Sequence, residues 1–156
     1  MEKLQDFELL DSQSKSVKLS DFWSKGATLF VFYPGDNTAV CTAQLCDYRD
    51  NYNLFQALGV QIVGISKDEP SSHVAFSKEH DFPFPLLSDP EHKVIKAWKC
   101  TSKWQMGIPS RAVALVSEKG EMVWKHVETL AITRRHASQL IEELSPLIRR
   151  LSLATR

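Results

Sequence analysis

Short apolar runs, with little polar alternation, are the clearest pattern in this chain. Such a run predicts a strand that is covered on both faces, as in a parallel sheet. These runs are residues 27–33, 60–66 and 111–116. Residues 122–127 instead alternate and follow the turn-forming stretch 117–120, which predicts the returning strand of a hairpin. Weak alternation in 7–10 and 17–19 predicts a loose N-terminal hairpin.

Apolar residues at helical spacing separate these runs. They recur from Cys41 onwards and predict one helix that stops at Gly59. Pro70 is well placed to open a second helix, and residues 94–98 form a short third one. Residues 137–151 carry a long apolar stripe, which predicts the last helix.

The order of these segments predicts an α/β fold. Residues 81–90 contain three prolines, from which we expect no regular structure there. Pro146 predicts a kink in the last helix, and residues 152–156 are expected to form a frayed tail. The order βαβα, an irregular stretch and then ββα predicts a mixed central sheet with helices on both faces. At this length we expect a single domain over residues 1–156.

Composition and charge exclude several classes of protein. Lys and Arg together number 19, and Asp and Glu together also number 19, so the net charge is zero. Extended electrostatic binding to nucleic acid or to an anionic membrane is therefore not expected. Three cysteines do not make a disulfide-stapled secreted scaffold. The N-terminus has no signal-peptide pattern, and no apolar run approaches the ~20 residues that span a bilayer. We therefore expect a soluble, cytoplasmic protein.

Cys41 stands out chemically because it follows a strand and a Pro-Gly loop at the start of a helix. The thiolate is the reactive form of cysteine, and the unpaired N–H groups and dipole at a helix N-terminus stabilise an anion. Thr38 brings a hydroxyl that can hydrogen-bond the sulfur or a substrate oxygen. Pro34 can shield the pocket and removes one competing donor.

The stretch FYPGDNTAVCTAQLCDYRDN resembles the peroxiredoxins, and among them the bacterioferritin comigratory protein subgroup, also called peroxiredoxin Q. The family pattern of Pro, three residues, Thr, two residues and Cys is present as Pro34, Thr38 and Cys41. Cys46, five residues after Cys41, is the mark of that subgroup. The resemblance extends to FPFPLLSDP and MGIPSRAVALVSEKG, and so covers nearly the whole chain.

This resemblance implies a thioredoxin-like fold and a thiol peroxidase that acts on hydrogen peroxide and organic hydroperoxides. Cys41 is then the peroxidatic cysteine and Cys46 the resolving one, with an intramolecular disulfide that thioredoxin or a similar dithiol protein reduces. Arg111 matches the family's arginine from a distant strand, whose fork of donors can hold the thiolate and a peroxide oxygen. No metal, haem or flavin is implied, and we expect a monomer because no cysteine follows Cys100.

Other interpretations of the same residues stay open from the sequence. Cys46 can be a core residue of its helix, and Thr38 can be a simple N-cap. Arg111 can be a surface residue at a strand start. Cys100 is more typical of a peripheral thiol than of an alternative resolving cysteine. A zinc site is improbable because no second ligand pair follows the first two cysteines.

The remaining candidates receive no catalytic role from the sequence. The five histidines are scattered, and Pro109 fits a turn better than the cis-proline of a thioredoxin-like site. Two other functions compete with a peroxidase, namely a non-catalytic peroxide sensor or holdase and a protein thiol–disulfide oxidoreductase. The second usually carries a CxxC motif, which this chain lacks.

Overall fold

The computed structural model describes residues 2–101, 111–129 and 133–154. Its strands are β1 (Glu8–Leu10), β2 (Ser16–Lys18), β3 (Thr28–Phe32), β4 (Gln61–Ser66), β5 (Leu86–Ser88), β6 (Ala112–Val116) and β7 (Met122–Val127). Its helices are α1 (Ser20–Trp23), α2 (Ala39–Asp50), α3 (Tyr52–Ala57), α4 (Pro70–His80), α5 (Lys93–Ala97) and α6 (Ala137–Ala154). Every strand predicted from apolar runs and alternation is present.

The strands form one mixed sheet in the order β2-β1-β5-β4-β3-β6-β7. The central strands β3, β4 and β5 are parallel, whereas β6 pairs antiparallel with β3. All five residues of β3 are buried, as its unbroken apolar run predicts. The predicted mixed central sheet is therefore confirmed.

The sheet separates two apolar cores, because alternate side chains of a strand point to opposite faces. Leu29 and Val31 of β3 belong to the core that includes buried residues of α2, α3, α4 and α6. Phe30 and Phe32 belong to the core that includes buried residues of α1 and α5. Helices thus pack on both faces, as predicted, and Cys41 lies in the first core.

The single helix expected between Cys41 and Gly59 is wrong in one respect. The chain leaves helical geometry at Asn51, with φ −113° and ψ 16°, and this break separates α2 from α3. The Asn51 side chain donates hydrogen bonds to the main-chain and side-chain oxygens of Asp47. The N–H of Asn51 also donates to the Asp47 carbonyl at 3.2 Å, so these side-chain bonds add to the last backbone bond of α2 and do not replace it.

The expectation that residues 81–90 lack regular structure is also wrong. The strand β5 fits between Pro85 and Pro90 and pairs with β4 on one side and with β1 at Leu10 on the other. The two prolines lie outside the strand, so neither removes a donor from the sheet. The carbonyl of Pro85 accepts a 2.9 Å hydrogen bond from the N–H of Gly64.

The C-terminal helix is longer than predicted. It runs through Pro146 and continues to Ala154, so the expected tail is wrong for residues 152–154. Leucine and alanine are strong helix formers, which favours the extension of α6. Ser152 and Ala154 also line a cavity of about 280 Å³ beside Gly59. Pro109 and the proposed turn around it lie outside the described residues. In the part of the chain that the structure describes, no helix is long and apolar enough to cross a bilayer.

Candidate active site

Cys41 is the third residue of α2, and the loop that follows β3 leads directly to it. Thr38 occupies the N-cap position with extended backbone, φ −81° and ψ 149°, and its carbonyl accepts the N–H of Thr42 at 2.9 Å. The sulfur therefore lies in the first turn, where backbone N–H groups have no partner within the helix. Cys41 is fully buried. The predicted position at a helix start is confirmed.

Arg111 reaches Cys41 from the neighbouring strand. It immediately precedes β6, whose Ala112 pairs with Phe32 at the end of β3, so the sheet register brings Arg111 beside the start of α2. Its Nη1 donates to Cys41 Sγ at 3.2 Å, and only 3% of the residue is exposed. Among the described ion pairs none involves Arg111, so no described carboxylate neutralises this buried charge. Arg111 is thus not a surface arginine, and it binds a thiolate more strongly than a thiol.

Gln44 holds Arg111 in this orientation. The same Nη1 of Arg111 donates to Gln44 Oε1 at 2.7 Å, and Gln44 Nε2 donates to the hydroxyl of Tyr48 at 2.9 Å. The Tyr48 hydroxyl in turn donates to the carbonyl of Arg135 at 2.6 Å, and burial raises the pKa of Tyr48, so that it stays a donor. Gln44 is not among the residues predicted from the sequence, although its i+3 spacing from Cys41 places both side chains on one helix face.

Thr38 and Pro34 lie in the loop between β3 and α2. The hydroxyl of Thr38 donates to the carbonyl of Gly35 at 3.3 Å and makes no side-chain cap on α2. Thr38 is therefore an N-cap by position but not by hydrogen bond. Pro34 is half-buried. The catalytic roles predicted for Thr38 and Pro34 stay predictions.

Cys46 lies on the same helix but has different neighbours. It is half-buried, its Sγ is 3.7 Å from His80 Nδ1, and all three cysteines are free. The ring of His80 stacks on Phe82, and Arg49 Nη1 donates to the His80 carbonyl at 2.6 Å. The structure therefore places Cys41 and Cys46 in one intact helix, with Cys46 against α4 rather than against Arg111.

Cys100 lies on the other side of the sheet. It is fully buried in the core that includes α1 and α5, whereas Cys41 belongs to the opposite core. Burial raises the pKa of the Cys100 thiol to about 11, so at neutral pH it carries no reactive thiolate. A buried, protonated thiol fits neither the expected peripheral position nor a resolving role.

A buried polar cluster, which was not predicted from the sequence, fixes the loop before α2. Asp36 Oδ2 lies 2.8 Å from His73 Nδ1 and accepts the hydroxyl of Ser72, also at 2.8 Å. Asp36 Oδ1 accepts the hydroxyl of Tyr33 at 2.7 Å. Asp36 and His73 are 37 residues apart, so only the folded chain brings them together.

Metal ligands are not gathered at this site. In the ranges that the structure describes, no group of three or more His, Cys, Asp or Glu side chains is arranged to hold a metal ion. The chemistry that the arrangement supports is that of a buried nucleophilic sulfur beside a fixed cation and free backbone donors.

Known proteins similar to this chain share one family. The model of the AhpC/TSA family matches residues 1–125. Peroxiredoxin Bcp of Bacillus subtilis (strain 168) is 35% identical over 151 residues, which cover 92% of each chain. Chloroplastic peroxiredoxin Q of Populus jackii is 41% identical over 114 residues, which cover 73% of this chain and 53% of the relative. The chain thus spans about half the length of the plant relatives that it matches.

Solved structures agree with the architecture. Peroxidoxin BcpB from Mycobacterium tuberculosis superimposes with a TM-score of 0.79 at 23% identity and covers 96% of both chains. The bacterioferritin comigratory protein from Xanthomonas campestris superimposes with a TM-score of 0.75 at 22% identity, with 94% of this chain and 92% of the other covered. At this identity the likeness concerns the fold, and the predicted thioredoxin-like fold is confirmed.

Proposed function

This chain belongs to the AhpC/TSA family, in its peroxiredoxin Q and Bcp group, and from that premise we propose that it reduces hydrogen peroxide and organic hydroperoxides. The family that the Pro34, Thr38 and Cys41 spacing predicts is confirmed by these relatives. The observation that carries the proposed activity is the 3.2 Å hydrogen bond from Arg111 to the buried sulfur of Cys41.

The first step is attack of the Cys41 thiolate on one peroxide oxygen. The S–O bond forms as the O–O bond breaks, and the other oxygen leaves with a proton as water or an alcohol. Sulfur is oxidised to sulfenic acid and the peroxide is reduced. Arg111 and the N–H groups of the first turn of α2 stabilise the charge that moves to the leaving oxygen.

The second step makes a disulfide. The thiol of Cys46 attacks the sulfenic sulfur of Cys41, and the hydroxyl leaves as water with the proton that the thiol gives up. Thioredoxin or a similar dithiol protein then reduces the Cys41–Cys46 bond by two thiol–disulfide exchanges. This cycle uses no cofactor, because the dithiol supplies both electrons.

Two further proposals concern the setting of the reaction. A disulfide formed within one chain needs no second subunit, which favours a monomer. Thiol chemistry of this kind depends on a supply of reduced dithiol, which favours a reducing compartment such as the cytoplasm.

The test is peroxide consumption coupled to thioredoxin, thioredoxin reductase and NADPH. Steady turnover by the wild-type protein is expected, none by Cys41→Ser, and near wild-type turnover by Cys100→Ser, which is the matched control. Retained turnover in Cys41→Ser contradicts the assignment of the nucleophile. Oxidation of Cys41 without turnover indicates a sensor instead, and reduction of insulin disulfides indicates a protein oxidoreductase.

A further inference from the structure

The carboxylate of Asp36 is buried in the loop that leads to the reactive helix. Its side chain is 1% exposed, and three side-chain groups contact its oxygens, namely the hydroxyls of Tyr33 and Ser72 and Nδ1 of His73. We call these four residues the Asp36 clamp. A buried carboxylate with several hydrogen-bond partners is stable, whereas the loss of one partner leaves an uncompensated buried charge.

Each ring nitrogen of His73 has a hydrogen-bond partner. Its Nε2 lies 3.1 Å from the carbonyl oxygen of Leu87, which can only accept a hydrogen bond. Its Nδ1 faces a carboxylate oxygen that also accepts the Ser72 hydroxyl. Nε2 therefore donates to Leu87, and one proton lies between Nδ1 and the Asp36 carboxylate. Burial raises the pKa of Tyr33, which keeps the third donor protonated.

The clamp joins the loop to two rigid elements. Ser72 and His73 belong to α4, and Leu87 is the central residue of β5. A second anchor acts on the same loop residue, because the N–H of Asp36 donates to Asp68 Oδ2 at 2.8 Å. Asp68 Oδ2 also accepts the hydroxyl of Ser66 at 2.6 Å. These anchors lie on the β4 and β5 side of β3, whereas Arg111 lies on the β6 side.

The position of this loop determines where Cys41 lies. Asn37 alone separates Asp36 from Thr38, the N-cap of α2, and it adopts the left-handed conformation with φ 64°. A shift of Asp36 is therefore passed to the first turn of α2. Arg111 stays where β6 places it, so the shift changes the distance between its guanidinium and the sulfur.

We propose that His73 is a positioning residue, which acts through Asp36 to hold the loop and the first turn of α2 against Arg111. The proposal rests on the proposed peroxidase function. His73 contacts neither the sulfur nor a peroxide in this arrangement, and its effect is on the rate of the first chemical step. A misplacement of about 1 Å at a reacting group can cost about a hundredfold in rate, which sets the scale of the effect.

Two substitutions of His73 separate positioning from general stability. In His73→Asn the amide nitrogen lies near the place of Nδ1 and can still donate to Asp36. In His73→Gln the amide nitrogen lies near the place of Nε2, so it keeps the bond to Leu87 and loses the one to Asp36. His73→Gln leaves the buried carboxylate with one partner fewer, so we expect it to unfold at a lower urea concentration than His73→Asn, and the rates are compared where both variants are folded. His92→Asn, a histidine with φ 56° outside the clamp, is the matched control.

The measurement is the stopped-flow rate of Cys41 oxidation by hydrogen peroxide, with urea unfolding on the same samples. We expect His73→Asn to stay within about threefold of wild type and His73→Gln to fall by about tenfold or more. Equal rates in the two variants, or a slower Asn variant, overturn the proposal. If neither variant folds, Ser72→Ala removes one donor to Asp36, and an unchanged oxidation rate in it overturns the proposal as well.

Failure of the proposed function gives a different result. If the wild-type protein does not reduce peroxide, the alkylation rate of Cys41 by iodoacetamide replaces the oxidation rate. The same ordering of the two His73 variants is then expected, because the loop and Arg111 surround the sulfur whichever reagent attacks it. Equal alkylation rates overturn the clamp independently of the peroxidase activity.

Discussion

At the scale of single residues, one nitrogen of Arg111 holds two parts of the site together. Its Nη1 donates both to Cys41 Sγ and to Gln44 Oε1, three residues further along the same helix face. Gln44 thereby fixes the direction of the guanidinium, and the guanidinium presents a positive charge to the sulfur. A lysine ammonium is a point charge on a flexible stem, so it lacks the fixed direction that the planar guanidinium gives to this nitrogen.

The substitution Arg111→Lys tests this arrangement. We expect Cys41 oxidation to slow by about a hundredfold, the typical effect of removing one donor to a charge that develops in the transition state. Stopped-flow oxidation by hydrogen peroxide measures it, and Arg150→Lys on the exposed side of α6 is the control. Oxidation at the wild-type rate in Arg111→Lys removes Arg111 from the site.

Cys100 makes a contribution to stability that depends on pH. Burial raises its thiol pKa from 9.0 to about 11, so the folded protein keeps this proton at a pH where the unfolded chain has lost it. Between these two values the unfolded chain binds fewer protons, and the free energy of unfolding therefore falls as the pH rises. This contribution to the free energy of unfolding is complete below about pH 9 and is lost as the pH approaches the pKa of the folded protein. The loss amounts to about 2–3 kcal/mol.

Urea unfolding of wild type and Cys100→Ser at about pH 8 and about pH 10.5 measures this contribution. The wild-type protein is expected to lose about 2 kcal/mol more than the variant over that interval, because all other titrating groups are shared. Parallel losses in the two proteins show that Cys100 is ionised in the fold and contradict its burial.

At the scale of elements, the reactive helix cannot form its own disulfide while intact. Five helical residues separate the Cα atoms of Cys41 and Cys46 by about 8–9 Å, and a disulfide needs about 7 Å or less. The first turns of α2 must therefore unwind. Beyond Cys46 the helix is tied to the C-terminal segment, because Asp47 Oδ2 accepts the N–H of Ala137 at 2.8 Å and Tyr48 donates to the carbonyl of Arg135. We therefore expect the unwinding of α2 to stop before Asp47 and Tyr48.

We expect oxidation to raise amide exchange from Cys41 to Cys46 and to leave it slow after Tyr48 and throughout the sheet. Hydrogen-exchange mass spectrometry on reduced and peroxide-treated protein measures this, and Cys46→Ser should show no rise. An oxidised protein that contains the Cys41–Cys46 bond and exchanges as slowly as the reduced one rejects the unwinding model.

Some helices and strands can be predicted from the local pattern of apolar residues, and others cannot. The buried strands β3, β4 and β6 were predictable because covered strands are nearly continuous apolar runs. The three-residue strand β5 was not, since it forms only by pairing with β4 and β1 between two prolines. The break at Asn51 was missed because the apolar spacing continues across it, and only the backbone angles of Asn51 leave helical geometry.

The residues of the site also differ in whether local sequence could predict them. The helix-start position of Cys41, after the loop that carries Pro34 and Thr38, was predictable because all three lie within eight consecutive residues at the end of a strand. Arg111 is 70 residues from Cys41, and only the family resemblance selected it. No sequence pattern reveals the clamp of Asp36 and His73, since it depends on how α4 and β5 pack against the loop.

At the scale of the whole molecule, the sheet separates Cys100 from the other two thiols, and this separation favours one disulfide over the other. Cys41 and Cys46 are on the helix that packs on one face, and Cys100 is buried in the core on the other. A bond between Cys41 and Cys100 requires at least one of the two thiols to leave its buried core, and opening a core costs more free energy than fraying a helix end. A bond between Cys41 and Cys46 requires only the first turns of α2 to unwind.

Disulfide mapping after one equivalent of hydrogen peroxide tests this conclusion. The peptide pair that contains Cys41 and Cys46 is expected as the main product, with Cys100 recovered as a free thiol after denaturation. In Cys46→Ser, sulfenic acid at Cys41 has no partner within the chain, so trapping with dimedone or a bond between two chains is expected instead of a bond to Cys100. A Cys41–Cys100 bond in the wild-type protein shows that a buried core opens during the cycle, and it contradicts both the resolving role of Cys46 and the separation of the two thiols.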